Sequence, residues 1–311
     1  MLENLRRKSL VKTYKDPIYL VRFEQGHAIY LDSFSIAQHK QILSKKKVDK
    51  PFSSTFDPLD KGFWVISNTL KDVQFNMIYC PSGTFTMGHI DQDDNQPRQE
   101  TIERLFLLGE TEITQELYEK VMGNNPSEFK NRSQNPVEKV SWNDAILFCN
   151  ELSRLQGLEL CYTENEESLD YGWDCDFNKN GYRLPREKEW EYAAKAGTQN
   201  RWAGTDNDND LENYAVYDEN SKIGKKQQTH PVKSKLPNEW GFYDMSGNVR
   251  EWCWDKYNPK NPDISANRVR RGGCWGSNAN SLDLRSAYCY GSSPNNLYNG
   301  IGFRVCRSIV N

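Results

Sequence analysis

Residues 238–255 read NEWGFYDMSGNVREWCWD, the most distinctive string in the chain. Gly241 and Gly247 interrupt it, and three tryptophans give it bulk. This pattern predicts a buried turn that is packed by tryptophan. A second interpretation of the same residues is that Asp244 and Glu251 approach one ion, assisted by backbone carbonyl groups of the turn between them. Such oxygen ligands would suit a cation such as Ca²⁺.

Around this string, short strands alternate with a few helices. MIYCPSGTFTMG (77–88) predicts a strand, a turn and a second strand. Three segments show the apolar spacing and the end signals of helices: 113–123 from Thr114 to Gly123, 140–157 from Ser141-x-x-Asp144, and 183–197 from Pro185 to Gly197. The sequence therefore predicts an α+β domain with long loops and little regular structure.

The first 72 residues differ from the rest. Residues 1–50 carry 11 Lys and Arg against 5 Asp and Glu, in a chain whose net charge is −3. Alternating residues predict two strands, near 18–23 and 27–31. We place a small N-terminal unit of unknown role at 1–72 and the main domain at 73–311. No apolar run is long enough to cross a bilayer, and the first residues lack a signal-peptide pattern.

Composition and motifs exclude several classes of function. Net charge is close to zero, so we expect no nucleic-acid partner. The eight cysteines contain no C-x-x-C pair, which argues against a zinc site and favours reduced thiols, with a bridge or two left open. The four histidines form no recognisable catalytic spacing, and no nucleotide-binding or hydrolase motif is present.

Residues 274–299 form a polar segment between two flanks that are typical of strands with glycine turns, RVRRGG (268–273) and GIGFRVCR (300–307). Ser, Asn, Tyr and Gly supply 15 of its 26 residues. A solvated loop without a partner would explain the small polar residues, but not the tyrosines. Tyr, Ser, Gly and Asn are also the residues that antibody binding loops favour, because tyrosine offers a large, rigid contact area at low entropic cost.

Several motifs occur in the order typical of one family, over about residues 76–307. The chain resembles the formylglycine-generating enzyme (sulfatase-modifying factor) family in MIYCPSGTFTMG (77–88), NPVEKVSWNDAILFCNELS (135–153), GYRLPREKEWEYAAKAG (181–197), WAGT (202–205), HPVKSKLPNEWGFYDMSGNVREWCWD (230–255), RVRRGGCW (268–275) and GIGFRVCR (300–307). The resemblance implies an elaborated C-type-lectin-like α+β fold. It also implies a calcium-like site at Asp244, Gly247, Val249 and Glu251.

The chemistry of that family does not carry over. Its enzymes use two cysteines, five residues apart, to bind copper and activate oxygen, and these positions fall at Ser277 and Leu282 here. Because a Cu(I) site of this kind needs both thiolates, we expect a protein that is not an enzyme and requires no cofactor, with a structural Ca²⁺ left open. A copper-dependent oxidase remains the alternative, and an inert structural subunit is a third.

The polar segment further resembles the variable region of proteins that are diversified by retroelements and use this lectin-like fold for display. That resemblance implies a non-catalytic recognition protein for an unknown macromolecular ligand, protein or glycan, at the cell surface as a lipoprotein, although this chain shows no signal or anchor pattern. Trp275, Tyr288 and Tyr290 are the candidate anchors, and Trp275 could equally be a fixed core residue. The predicted contact positions are Gly276, Ser277, Asn278, Asn280, Ser281, Asp283, Tyr288, Tyr290, Ser292, Ser293, Asn295, Asn296, Tyr298 and Asn299.

Overall fold

The structure is a computed structural model of the 311-residue chain. It describes residues 19–22, 28–31, 65–70, 72–89, 95–130, 132–168, 170–257, 267–279 and 282–309. The chain divides into two units, residues 1–67 with residue 311, and residues 68–310. This division falls within the strand at 65–70, whereas the sequence analysis sets the boundary after residue 72.

In the first unit, the described residues before 65 form an antiparallel hairpin. Its strands are β1 (Tyr19–Arg22) and β2 (Ala28–Leu31). Tyr19 is paired with Leu31, and Arg22 with Ala28. Both lie where the alternating pattern predicts strands.

Within the described residues, the remaining elements are short strands, four α-helices and two 3₁₀-helices. The strands are β3 (Val65–Leu70), β4 (Val73–Cys80), β5 (Gly83–Met87), β6 (Arg98–Ile102), β7 (Phe106–Gly109), β8 (Tyr162–Glu164), β9 (Trp173–Cys175), β10 (Tyr182–Arg183), β11 (Lys222–Ile223), β12 (Lys226–Gln227), β13 (Arg250–Lys256), β14 (Arg268–Arg271), β15 (Cys289–Ser292), β16 (Ile301–Gly302) and β17 (Cys306–Ser308). The helices are α1 (Gln115–Met122), α2 (Trp142–Leu155), α3 (Glu187–Lys195) and α4 (Leu211–Tyr214). Two 3₁₀-helices lie at Asp208–Asp210 and Leu282–Leu284.

Two sheets organise the second unit. The larger has the strand order β10-β17-β7-β4-β3. At its centre, Leu108 of β7 is paired with Ile78 of β4 and Cys306 of β17, and all three side chains are buried. The other sheet has the order β15-β14-β13-β16, with β13 and β16 parallel. The second sheet contains both flanks of the polar segment.

The ends of α1 and the start of α2 confirm the predicted capping residues, whereas α3 begins after Arg186 and has Ala196, not Gly197, as its C-cap. The Thr114 hydroxyl accepts a hydrogen bond from the backbone N–H of Leu117, and Gly123 ends α1 at φ 78°. At α2, the Ser141 and Asp144 side chains each accept from the other residue's backbone N–H, both at 3.0 Å. These caps satisfy donors that a helix leaves free at its start, so short-range chemistry sets the bounds of both helices.

The core is fixed by three fully buried tryptophans, Trp142, Trp190 and Trp252. Each indole N–H has an acceptor: the carbonyl of Cys253, the Glu251 carboxylate and the carbonyl of Val140, at 2.7–2.9 Å. A buried indole that keeps its hydrogen bond combines large apolar burial with a fixed orientation. The predicted tryptophan-packed turn at 238–255 is confirmed in this respect.

Buried ion pairs connect strands β10 and β14 to helix α3. Arg183 of β10 makes two hydrogen bonds with Glu189, at 2.7 and 2.8 Å, and Arg271 of β14 pairs with both Glu187 and Glu191. Breaking one such pair leaves an uncompensated buried charge, which is strongly destabilising. These pairs therefore hold α3 against the two strands.

The eight cysteines are all free thiols, as the sequence favours, and seven of them are buried. Burial raises the pKa of several of these thiols well above the usual value, for example those of Cys80, Cys149 and Cys253. They act as small apolar core residues. None of the helices in the described part of the chain has the length and apolar character that a membrane crossing requires.

Candidate functional site

The polar segment begins at two glycines that no other residue could replace without strain. Gly272 and Gly273 have φ values of 92° and 70°. A Cβ atom on Gly273 would lie 2.8 Å from a methyl group of Leu284 and 3.0 Å from the carbonyl of Asp283. The glycine pair thus lets the chain leave β14 and pass against the 3₁₀-helix at Leu282–Leu284.

The far end of the segment is held by backbone hydrogen bonds. The carbonyl of Pro294 accepts from the N–H of Trp142 at 2.9 Å, and that of Tyr298 accepts from the N–H of Lys139 at 3.2 Å. These bonds attach residues 293–299 to the start of α2. The loop is therefore fixed at the backbone, while its side chains vary in exposure.

Most of the predicted contact positions lie at the surface. The exposed positions are Gly276, Asn278, Tyr290, Ser293, Asn295 and Tyr298, and the partly buried ones are Asp283, Tyr288, Asn296 and Asn299. Ser277 and Ser292 are buried, each only 4% exposed. Asn280 and Ser281 lie outside the described residues.

Two tyrosines dominate the exposed face. Tyr290 and Tyr298 are 47% and 58% exposed, and Leu297 beside them is 51% exposed. The Tyr290 ring stacks on that of Tyr257, with centroids 6.2 Å apart. Large side chains held open to solvent are the kind that anchor binding interfaces.

Trp275 differs from these tyrosines because its contacts are internal. Its indole N–H donates to the carbonyl of Asn299 at 2.9 Å, and its ring meets Phe129 edge-on at 5.5 Å. Its backbone N–H donates to the carbonyl of Asn248. Trp275 therefore belongs to the frame beneath the segment, the second of the two roles that the sequence left open.

A network of charged and polar side chains surrounds Ser277, the position that corresponds to the first catalytic cysteine of the resembled enzymes. Ser277 donates to the Asp283 carboxylate at 2.8 Å and accepts from the backbone N–H of Cys274 at 3.0 Å. Arg250 donates to Asp283 and, at 2.7 Å, to the Cys274 sulfur. Burial lowers the pKa of Arg250, but these two partners outweigh it and the pKa is raised. Leu282, at the second thiol position, opens the 3₁₀-helix.

Arg270 belongs to this face and was missed by the sequence analysis. It is paired across the strands with Tyr290, and its guanidinium carbon lies 4.9 Å from the centre of that ring. Within β14, Arg268, Val269 and Arg271 are buried and Arg270 is only partly buried. The letters RVRR do not signal this difference, and the contact with Tyr290 depends on the register of β14 with β15.

The predicted calcium ligands lie around a group of buried carboxylates. Both oxygens of Glu251 accept from Arg304, at 2.6 and 2.7 Å, whereas Asp244 Oδ1 is buried without a hydrogen-bond partner among the described residues. Glu112 lies nearby and accepts from the N–H of Val249 at 3.1 Å. Burial raises the pKa of Asp244 to about 6, and burial with the neighbouring acids raises that of Glu112.

Three buried acids lie near one guanidinium, so the site would carry an excess of negative charge when all three are ionised, and the raised pKa values of Asp244 and Glu112 reflect that cost. That excess, and the unpartnered Oδ1 of Asp244, fit an oxygen-ligated cation such as Ca²⁺. Asp244 and backbone carbonyl groups would supply the ligands of such a cation, because Arg304 already neutralises the charge of Glu251. In the described residues, no group of three or more His, Cys, Asp or Glu residues is arranged to hold a metal by itself.

Comparison with known proteins gives a family for this arrangement. Residues 65–309 match the sulfatase-modifying factor enzyme 1-like domain. The chaperone protein LppX of Paenibacillus barcinonensis is 36% identical over 65% of this chain and 80% of its own length. The formylglycine-generating enzyme of Mus musculus is 30% identical, but the match covers 57% of this chain and only 45% of that enzyme.

Among solved structures, Treponema denticola variable protein 1 superimposes with a TM-score of 0.72 and 37% sequence identity. The match covers 79% of this chain and 99% of that protein. CarF superimposes with a TM-score of 0.57 and 25% identity, over 76% of this chain and 98% of its own. The fold is therefore that of an elaborated α+β domain seen in both. From the family match and these likenesses, we conclude that the chain belongs to the sulfatase-modifying factor enzyme 1-like family.

Proposed function

We propose that the chain is a non-catalytic recognition protein that binds a macromolecular ligand through the exposed face of residues 276–299. The observation that carries this proposal is the contrast within one segment. Its backbone is fixed by glycines and by hydrogen bonds to α2, while Tyr290 and Tyr298 stay open to solvent. A fixed frame reduces the entropic cost of binding, and exposed tyrosines supply contact area.

We propose different roles for the predicted contact positions, according to the exposed fraction of each side chain. Ser277 and Ser292 shape the loop from within, because their side chains are buried. Asp283 holds Arg250 and is only half-exposed. We propose direct contact for the remaining described positions, which are Gly276, Asn278, Tyr288, Tyr290, Ser293, Asn295, Asn296, Tyr298 and Asn299.

Diversification by a retroelement would account for the concentration of Asn, Ser, Tyr and Gly at these positions. The likeness to a protein named as a variable protein supports this proposal. A location at the cell surface belongs to the same proposal. Treatment of intact cells of the native species with a protease, followed by blotting for the full chain, tests it: loss of the chain supports surface exposure, and full protection opposes it.

The alternative is a copper-dependent oxidase, and the likeness to a formylglycine-generating enzyme favours it. The residues at the two thiol positions argue against an oxidase, since Ser277 and Leu282 have no thiol group. The sulfur of Cys274 accepts a hydrogen bond from Arg250. The test is to measure Cu(I) affinity and the conversion of cysteine to formylglycine in a sulfatase-type peptide. Tight copper binding with turnover would establish the oxidase, and the absence of both is expected.

A structural Ca²⁺ at the 238–255 turn is a separate proposal about stability. The Asp244 carboxylate and the backbone carbonyls of Gly247 and Val249 would hold the ion, beside the Glu251–Arg304 pair. When bound, the ion would neutralise buried negative charge. Recognition at residues 276–299 does not require it.

Selection of peptides from a random phage-displayed library against the immobilised full chain tests the recognition proposal. The selection should enrich peptides that bind the natural chain but do not bind a double variant carrying Tyr290→Ser and Tyr298→Ser. The matched control, Tyr171→Ser, removes a tyrosine that is 37% exposed elsewhere. If the enriched peptides bind the double variant as well as the natural chain, the proposed face is wrong.

A further inference from the structure

Three arginines lie on the four-residue strand β14, and two of them have acidic partners. Arg268 pairs with Asp170 at 2.9 Å, and Arg271 pairs with Glu187 and Glu191. Arg270 differs from both, because it is only partly buried and contacts Tyr290 of the proposed binding face.

Arg270 makes one close contact there, the stacking of its guanidinium on the Tyr290 ring at 4.9 Å. Its Nε atom, like those of Arg250, Arg268 and Arg271, is buried without a hydrogen-bond partner among the described residues. Within the described ranges, its guanidinium forms no ion pair with a carboxylate. A buried donor without an acceptor is costly, so Arg270 is a cation whose binding capacity is unused in the free chain.

The neighbouring Arg250 shows how a carboxylate partner changes the pKa of an arginine on this face. Arg250 is neutralised by Asp283, and its pKa is raised. Burial lowers the pKa of Arg270, and the charge of Arg250 lowers it further, against a weaker opposing effect of Asp283. Arg250, Arg270 and Asp283 together carry one positive charge in excess, although the whole chain has a net charge of −3.

We propose that Arg270 receives an aspartate or glutamate carboxylate from a protein ligand, with the Tyr290 ring packed beside the bound acid. The inference deepens the proposed function and rests on it. A guanidinium presents donors in a planar fork that matches a carboxylate, and the bond strengthens as the ligand excludes water. A protein ligand is favoured over a sugar because the segment that supplies Tyr290 is rich in Tyr, Ser, Asn and Gly, the residue types that antibody binding loops favour.

The test extends the peptide selection to variants of this one residue. Arg270→Gln removes the charge and keeps a polar side chain, and Arg270→Lys keeps the charge but loses the fork. Arg154→Gln is the matched control, since Arg154 is an exposed arginine of α2 paired with Glu151. Thermal unfolding of each full-length variant verifies that it is folded before selection.

We expect peptides enriched on the natural chain and on Arg154→Gln to carry about twice the Asp and Glu content of the starting library. This excess should vanish with Arg270→Gln. The best acidic peptide should bind Arg270→Gln about 10-fold more weakly, Arg270→Lys by an intermediate factor, and Arg154→Gln within about 2-fold of the natural chain. Changing the acid of the peptide to its amide should weaken binding to the natural chain but not further weaken binding to Arg270→Gln.

Three results would overturn the inference, and they are distinguishable. If enriched peptides require Tyr290 and Tyr298 but show no acidic excess, the carboxylate assignment fails while the proposed function stands. If no enriched peptide requires the tyrosines, both fail. If an array of uronic and sialic acid sugars binds in a manner dependent on Arg270 and acidic peptides do not, the ligand is a glycan and the protein assignment fails.

Discussion

Tyr298 and Trp275 lie within one segment, yet they have opposite roles. Tyr298 is 58% exposed, whereas Trp275 is hydrogen-bonded to Asn299 and packed on Phe129. Tyr298→Ala should change the free energy of unfolding by less than about 0.5 kcal/mol. It should weaken binding of a selected peptide by on the order of 10-fold.

Trp275→Ala should instead lower the free energy of unfolding by roughly 2–3 kcal/mol, because it removes internal contacts. Urea unfolding and titration calorimetry on both variants measure the two effects. A larger loss of stability in Tyr298→Ala than in Trp275→Ala would contradict the assignment of frame and contact residues.

Glu138 is a buried carboxylate beneath the same face. One oxygen accepts from the N–H of Phe129, and the other is buried without a hydrogen-bond partner among the described residues. Burial raises the pKa of Glu138 to about 7. Between about pH 4.5 and 7, the folded chain therefore keeps a proton that the unfolded chain has lost, so this group makes the fold less stable as the pH rises.

Glu138→Gln should remove this pH dependence, since the amide stays neutral and can still accept from Phe129. The natural chain should lose on the order of 1–3 kcal/mol of stability relative to the variant between pH 5 and pH 8. Urea unfolding at both pH values measures the difference. Glu119→Gln, which removes an exposed carboxylate of α1, is the control, and an equal pH response in Glu138→Gln and the natural chain would refute the expectation.

At the scale of elements, the orientation of the exposed face depends on a glycine of β15. A Cβ atom on Gly291 would lie 2.3–2.9 Å from three atoms of Tyr257, the residue on which Tyr290 stacks. Gly291→Ala should cost about 1–3 kcal/mol and weaken peptide binding, because the Tyr257 ring must move.

Gly276→Ala is the control for stability alone, because Gly276 is itself a proposed contact position and a Cβ atom there meets nothing within 4 Å. It should leave stability within about 0.5 kcal/mol of the natural chain. Thermal unfolding of both variants and the peptide affinity of Gly291→Ala are the measurements. Equal stability of the two variants, with unchanged peptide affinity in Gly291→Ala, would show that the Tyr257–Tyr290 stack does not support the face.

The elements also show which features the sequence could predict. The caps at Thr114 and Ser141 were predictable because capping involves residues three apart on one chain. The position of Arg270 beside Tyr290 was not, because it depends on the register of two strands that are distant in sequence. The burial of Ser277 and Ser292 could not be read from composition either, since serine is common in solvated loops and in buried turns alike.

At the scale of the whole molecule, the second unit concentrates negative charge in its core at Glu112, Asp244 and Glu251. If Ca²⁺ binds there, 1 mM CaCl₂ should raise the melting temperature above that in EDTA. An ion at about 100 times its Kd contributes about 2.7 kcal/mol, which is roughly 5–10 °C for a unit of this size. Asp244→Asn should abolish the difference, and equal melting temperatures of the natural chain in CaCl₂ and EDTA would exclude the ion.

The fold class was predictable for the whole second unit because its motifs occur in order along the chain, from residue 77 to residue 307. Function was less accessible, since one family contains a named enzyme and a named variable protein on the same scaffold. The difference lies in a few side chains, such as serine in place of cysteine at residue 277. A fold alone does not decide between such functions.

The central claim is that residues 276–299 form a changeable binding face on a fixed frame. The measurement that tests it most directly is the sequence of this locus, with its neighbouring DNA, in many sibling strains. We predict that substitutions are confined to the proposed contact positions and that Gly272, Gly273 and Arg304 stay constant. A near-copy template and a reverse transcriptase gene should lie in the neighbouring DNA. Substitutions spread evenly over residues 68–310 would contradict it.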